Sequence, residues 1–137
     1  MLLLQNQTNQ VYLTLSEAVS VTATPVYFLF RFVDYATNEE ILFTTPDITT
    51  NITRCNQFEI TLTGSSAWQN LTRGTIHMAP NGDWRYFCYA QYSSGNTSMS
   101  GALPTILEQG LIKLSGTPVT YITQTYTGSS QTYGYYQ

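Results

Sequence analysis

His77 is the single histidine in 137 residues, so any Ser-His-Asp or Cys-His arrangement, and any imidazole-bearing metal site, would have to be built around it. It sits in Thr75-Ile76-His77-Met78, which reads as a short strand closed by Pro80-Asn81-Gly82-Asp83. A strand histidine hydrogen-bonded to a neighbour or to water accounts for it. The carboxylates offer no better start. Glu39 and Glu40 are adjacent, and adjacent side chains of an extended chain point to opposite faces, a poor geometry for a cooperating acid and base. They read as solvated charges of a turn. Asp34 and Asp47 lack the D-x-[DN]-x-[DN]-G spacing that gathers oxygen ligands around calcium. The expectation is no catalytic residue, no metal and no cofactor.

Behind this lies a shortage of charge. Asp, Glu, Lys and Arg make up 9% of the chain, against about 25% in ordinary soluble domains, and no charged side chain follows Lys113. The residue types that do acid, base and metal chemistry are the ones used least, which argues against an enzyme. The five cations, Arg31, Arg54, Arg73, Arg85 and Lys113, are scattered singly in a chain of net charge −3. No basic stripe exists to neutralise phosphates, so nucleic acid is not an expected partner. No apolar run approaches the roughly 20 residues of a membrane-crossing helix, and a membrane is not expected either.

Cys55 and Cys88 both fall in segments that read as strands and could pair. Met1-Leu2-Leu3-Leu4 meets Gln5-Asn6-Gln7 too soon to form a secretory leader, and two cysteines without one are more often reduced and buried. The opening leucines read instead as a short strand or docking arm. The sequons at Asn6, Asn51, Asn70 and Asn96 carry little weight in a chain so rich in Thr and Ser.

Alternation dominates what remains. Val11, Leu13 and Leu15 share one face of a strand. In Val26–Val33, Phe28, Phe30 and Phe32 lie on one face and Tyr27, Leu29, Arg31 and Val33 on the other, which reads as the central strand. Asp34–Glu40 is a turn and Ile41–Thr44 completes a hairpin. Phe58, Ile60 and Leu62 alternate cleanly. In Trp84–Gln91, Trp84, Tyr86, Cys88 and Ala90 oppose Arg85, Phe87 and Tyr89, so both faces look partly covered. Tyr86 is expected to pack with its hydroxyl bonded at an edge. Leu103–Glu108 reads as one helical turn before a last strand, Gly110–Leu114.

No helical period persists for three turns, and with 42% hydrophobic and 14% aromatic residues the chain can bury a core. The expected fold is all-β: an antiparallel two-sheet sandwich, Ig-like or jelly-roll-like, over residues 1–116, followed by an extended, uncharged, Tyr/Thr-rich arm over 117–137. Tyr121, Tyr126, Tyr133, Tyr135 and Tyr136 crowd that arm and bring large contact area at low entropic cost. They are the candidate partner-binding residues. Trp68, flanked by Ser66 and Gln69, is the candidate for stacking on a sugar ring.

Val26-Tyr27-Phe28-Leu29-Phe30-Arg31-Phe32, Thr37-Asn38-Glu39-Glu40, Arg54-Cys55-Asn56-Gln57-Phe58-Glu59-Ile60, Gly82-Asp83-Trp84-Arg85-Tyr86 and Leu107-Glu108-Gln109-Gly110-Leu111-Ile112 occur in that order across residues 10–116. Together they resemble small virion proteins of tailed phages infecting Bacteroidota, the crAss-like group included. The resemblance implies a capsid-decorating or neck component with a sandwich fold. The resulting expectation is a non-enzymatic structural virion protein, an auxiliary or decoration protein on the capsid shell, held by β-edge contacts and the terminal arm. Its partners would be other virion proteins, the major capsid protein first, and copies of itself; its place would be the virion, assembled in the host cytoplasm. The alternatives are a glycan-binding module of a tail or head fibre, a neck or tail component, and a secreted, disulfide-linked Ig-like domain.

Overall fold

Side chains that alternate between apolar and polar fold into strands that bury one face. The computed structural model describes residues 1–18, 26–49 and 55–116. Among them are strands β1 (Leu2–Leu4), β2 (Thr8–Leu13), β3 (Tyr27–Asp34), β4 (Glu40–Thr44), β5 (Asn56–Leu62), β6 (Thr75–Ile76), β7 (Gly82–Gln91) and β8 (Ala102–Ser115), with one short helix, α1 (Leu15–Ala18). A five-stranded sheet runs β1-β8-β7-β3-β4 and a three-stranded sheet β2-β5-β6. The protein is an all-β sandwich.

Five phenylalanines knit the two sheets. Phe30 of β3 lies edge-on to Phe58 of β5 at 5.1 Å and stacks on Phe43 of β4 at 5.3 Å, while Phe28 meets Phe58 at 5.9 Å and Phe32 meets Phe43 at 4.9 Å. Each such pair adds about 0.5–1.5 kcal/mol beyond the area it buries. Around them pack Leu3, Ile60, Leu62, Met78, Trp84 and Ile112, all buried. Trp84 keeps its indole N–H satisfied by donating to the Pro80 carbonyl at 3.1 Å.

Several expectations are corrected. The sandwich is not wholly antiparallel: β1 runs parallel to β8, and β5 parallel to β6. Parallel pairing seats the opening leucines, since Leu3 opposite Leu114 is fully buried. The centre of the large sheet is β7, with β3 one place to its side. The strand through Val11 ends at Leu13, because Asn56 Oδ1 accepts from the amides of Leu15 at 3.0 Å and Ser16 at 2.9 Å and turns the chain into α1. Leu15 is buried all the same. Residues 103–108 form no helical turn; they belong to β8, paired along β7 through two register shifts that absorb extra residues of β8. Cross-strand pairing outweighs a weak local preference here. The segment through His77 pairs as a strand only at Thr75–Ile76.

Candidate functional site

Strand alternation puts Leu29, Arg31 and Val33 of β3, and Arg85, Phe87 and Tyr89 of β7, on the face of the large sheet turned away from the core. Leu29, Val33 and Tyr89 are nevertheless buried, which makes this outer face a second apolar layer rather than a solvated one. Two arginines lie in it. Arg31 Nε donates to Glu40 Oε2 at 2.6 Å, and its guanidinium stands 5.4 Å from the centroid of Phe87. The hydrogen bond to Glu40 outweighs partial burial and, with a smaller contribution from Tyr89, holds the Arg31 pKa above the ordinary arginine value.

Arg85 is placed differently. Its guanidinium lies 5.3 Å from the Tyr35 ring and 6.0 Å from Phe87, and Nη2 donates to Asn38 Oδ1 at 3.1 Å. Its Nε is buried and meets no acceptor. The turn that carries Tyr35 and Asn38 is built for this placement: Asp34 accepts from the Ala36 amide and the Thr37 hydroxyl, and Asn38 adopts a left-handed conformation at φ 63°. Opposite Arg85 in register, on β8, stands Leu111, 61% exposed; Ile106, opposite Tyr89, and Tyr35 are exposed as well. Aromatic rings, arginine and exposed aliphatics on one rigid sheet make a surface of the kind that anchors protein partners.

His77 and Cys88 are taken up by the fold itself. His77 Nδ1 lies 2.9 Å from the Thr63 carbonyl oxygen. Glu40 is an ion-pair partner rather than a solvated turn charge, because β3–β4 pairing sets it beside Arg31. Cys88 is a buried free thiol whose pKa is pushed up by desolvation and then by the charge of Glu108. Cys55 is exposed. Among the described residues no three of His, Cys, Asp and Glu gather where they could hold a metal ion, and no helix is long and apolar enough to cross a membrane. A cleft of about 640 Å³ contains Asp47 and Arg73 but neither histidine nor thiol.

Trp68 is 69% exposed on a short 3-10 turn, Ser66–Trp68. The polar groups around it are partly engaged, since Gln69 Oε1 accepts from the His77 amide at 3.0 Å and the Ser65 hydroxyl caps the turn at the Ala67 amide. Tyr121, Tyr126, Tyr133, Tyr135 and Tyr136 lie outside the described residues. Sequence reasoning reads both faces of the β7 segment as partly covered but does not single out the outer face as a site, although Leu29 and Val33 of β3 and Phe87 and Tyr89 of β7 give it a partly apolar signal. No protein-family model matches the chain, and no curated protein matches it.

Proposed function

We propose that this protein is a non-enzymatic structural protein of a virion: an auxiliary subunit on the capsid shell of a tailed phage, held by strand-edge contacts and by residues 117–137. The observation that carries the reading is the outer face of the large sheet, where arginines stack on aromatic rings among apolar side chains. A catalytic surface concentrates titratable groups in a cleft; a docking surface concentrates aromatic and arginine side chains on a firm support. The virion setting rests on the sequence resemblance. The partners are the major capsid protein and other copies of this chain.

One strand edge suits such contacts. β2 is an edge strand with unbroken alternation between exposed and buried residues, and it contains neither proline nor a register shift. The half of β8 that runs beyond β1 carries Pro104 and the shifts against β7, devices that discourage strand addition. Imaging the chain in intact particles tests the reading, together with deletion of 117–137. Density on the shell and reduced occupancy of the truncated form are expected; undiminished incorporation removes the arm from the account.

The exposed indole of Trp68 favours a second reading, a glycan-binding module of a fibre. It has less support, because Gln69, which would bond sugar hydroxyls beside the ring, already accepts from His77.

A further inference from the structure

Hydrogen-bond phase decides which backbone groups of β2 are open. The Leu62 N–H donates to the Gln7 carbonyl at 3.0 Å, so these two residues form a bonded pair that extends the antiparallel β2–β5 ladder, in which Asn9 lies opposite Ile60 and Val11 opposite Phe58. Bonded pairs alternate with non-bonded ones. Asn9, Val11 and Leu13 therefore turn their N–H and C=O groups toward β5, and Thr8, Gln10 and Tyr12 turn theirs to the open side. The other edges among the described residues are partly covered or short. Asn9 Oδ1 accepts from the Leu4 N–H at 2.9 Å and its Nδ2 donates to the Leu4 carbonyl at 3.1 Å, which closes the end of β1. The Thr44 N–H at the end of β4 donates to the Leu71 carbonyl at 2.8 Å, and β6 is two residues long.

We infer that the open side of β2 receives residues 119–127 of a second copy of this chain, added as a further strand of the small sheet. The inference rests on reading residues 117–137 as an attachment arm and names what that arm grips. Val119-Thr120-Tyr121-Ile122-Thr123-Gln124-Thr125-Tyr126-Thr127 carries neither charge nor proline, and all but Gln124 are β-branched or aromatic, the composition that fits a pleated edge. In strand addition main-chain bonds give affinity and alternate side chains fill pockets. A cleft of about 270 Å³ beside the edge offers such a pocket, bounded by Leu2 and Tyr12, both 61% exposed, and by Tyr86 and Glu108. Glu108 accepts from the Thr14 amide and hydroxyl and from the Tyr86 phenol. A carboxylate takes about four hydrogen bonds, so a place is left for a tyrosine hydroxyl of the arm.

Where the arm starts favours another copy over its own edge. β8 ends at Ser115, opposite Leu4, at the end of the sandwich where β2 begins. To lie on its own β2 the arm would have to cross the Gln5-Asn6-Gln7 turn and run parallel to that strand, the weaker pairing. From another copy it can meet the edge antiparallel. Residues 117–137, extended, reach roughly 70 Å at about 3.3 Å per residue. That is about twice the diameter of a small domain, roughly 30 Å, and far more than the six residues of β2 require.

The test is sedimentation of the full chain and its variants, alone and mixed, with circular dichroism to establish folding. Gln10→Pro removes an N–H from the open side and none from the β5 ladder, a placement that edge strands tolerate. Gln10→Ala controls for the side-chain bonds to Glu59 and Gln57 that are lost with it. Ile122→Pro combined with Tyr126→Pro breaks the arm and leaves β2 open. Wild type and Gln10→Ala are expected to assemble progressively with concentration, as head-to-tail contacts do. Each proline variant alone should assemble at least about tenfold more weakly. Mixed in equal amounts, the edge-blocked chain lends its arm to the arm-broken one, and a one-to-one dimer is expected. Amide hydrogen exchange reads the edge itself: Thr8 and Tyr12 should be protected in the assembled wild type and exchange at least about tenfold faster in the arm-broken variant. Were Gln10→Pro to unfold, that comparison still decides, because it alters only the arm. A wild type that stays monomeric at about 100 μM, far above the Kd of ordinary stable complexes, overturns the inference. So does a folded Gln10→Pro chain that assembles like wild type, a mixture of folded variants that stays monomeric, or equal exchange in the two proteins. A monomeric chain that still occupies the shell removes the strand exchange and leaves the structural role standing; exchange by a chain absent from the particle does the reverse.

Discussion

Tyr86 of β7 lies opposite Gly110 of β8, with its ring over the glycine: a Cβ at Gly110 would come within 2.8 Å of Tyr86 Cε1. The glycine makes room for the ring, and the ring covers a strand position that has no side chain of its own to pack. The phenol then reaches Glu108, two residues along β8, and donates to its Oε2 at 2.8 Å. Oε1 of the same carboxylate accepts from the amide and hydroxyl of Thr14, which follows β2, at 3.1 and 3.3 Å. One half-buried carboxylate thus ties the large sheet to the chain leaving the small one.

Gly110→Ala is expected to cost about 1–3 kcal/mol, the usual range for overpacking a filled site. The ring must move, and moving it also breaks the bond to Glu108. Tyr86→Phe alone should cost about 1.5–3 kcal/mol, as for a hydrogen bond to a charged acceptor. In a double-mutant cycle followed by urea unfolding, Gly110→Ala should cost less in the Tyr86→Phe background, because the bond it would break is already gone. Strict additivity would mean that the ring and the hydroxyl act independently.

Stability should fall in alkali. Burial raises the pKa of both Cys88 and Tyr86, and Glu108 raises each further. Both groups therefore hold their protons more tightly folded than unfolded, where they titrate near about 8.5 and about 10. Their contribution is complete below those values and is lost as pH rises past them, first for the thiol and then for the phenol. Unfolding free energies between pH 7 and 11 should decline from about pH 8.5 upward, and Cys88→Ala should flatten the first part of that decline. An unchanged profile in the variant would clear the thiol of any part in it.

The alternating residues made most of the fold legible. Phe28, Phe30 and Phe32 announce a buried face, as do Phe58, Ile60 and Leu62, and all six lie in the core. Leu103–Glu108 was misread because a strand that bulges against its partner loses the period-two signal by which strands are recognised. The parallel seating of Leu2–Leu4 on β8 joins residues more than a hundred positions apart, and nothing local specifies it. Arg85 illustrates the limit for the site. That it opposes the core follows from alternation, but its clamp depends on Tyr35 and Asn38, which reach it only because the hairpin turn folds beside β7.

Asn56 should be the most sensitive polar position. Asn56 is itself buried; its Oδ1 accepts from two backbone amides at the start of α1, and its Nδ2 donates to Ser16 Oγ and to Asp47 Oδ2, each at 2.8 Å. Asn56→Asp preserves the shape but turns a donor toward Asp47 into a second carboxylate. A loss of about 2–4 kcal/mol at pH 7 is expected, as for an unmatched buried charge. Near pH 4, where carboxylates of ordinary pKa begin to take up protons, the gap to wild type should narrow. A gap independent of pH would show that the lost donor, and not repulsion, sets the cost.

Trp68→Ala separates the two functional readings with one substitution. The indole is 69% exposed and belongs to no core cluster, so its removal should change stability by no more than about 0.5 kcal/mol, the usual span for surface changes. The turn itself is held by backbone and by the Ser65 cap, neither of which needs the indole. A glycan array probed with wild type and variant side by side then reads the ring directly. For a structural subunit both proteins should give the same background signal. A specific sugar bound by wild type and lost in the variant would move the assignment to a carbohydrate-binding module, because stacking on an exposed indole is the one contribution the substitution takes away.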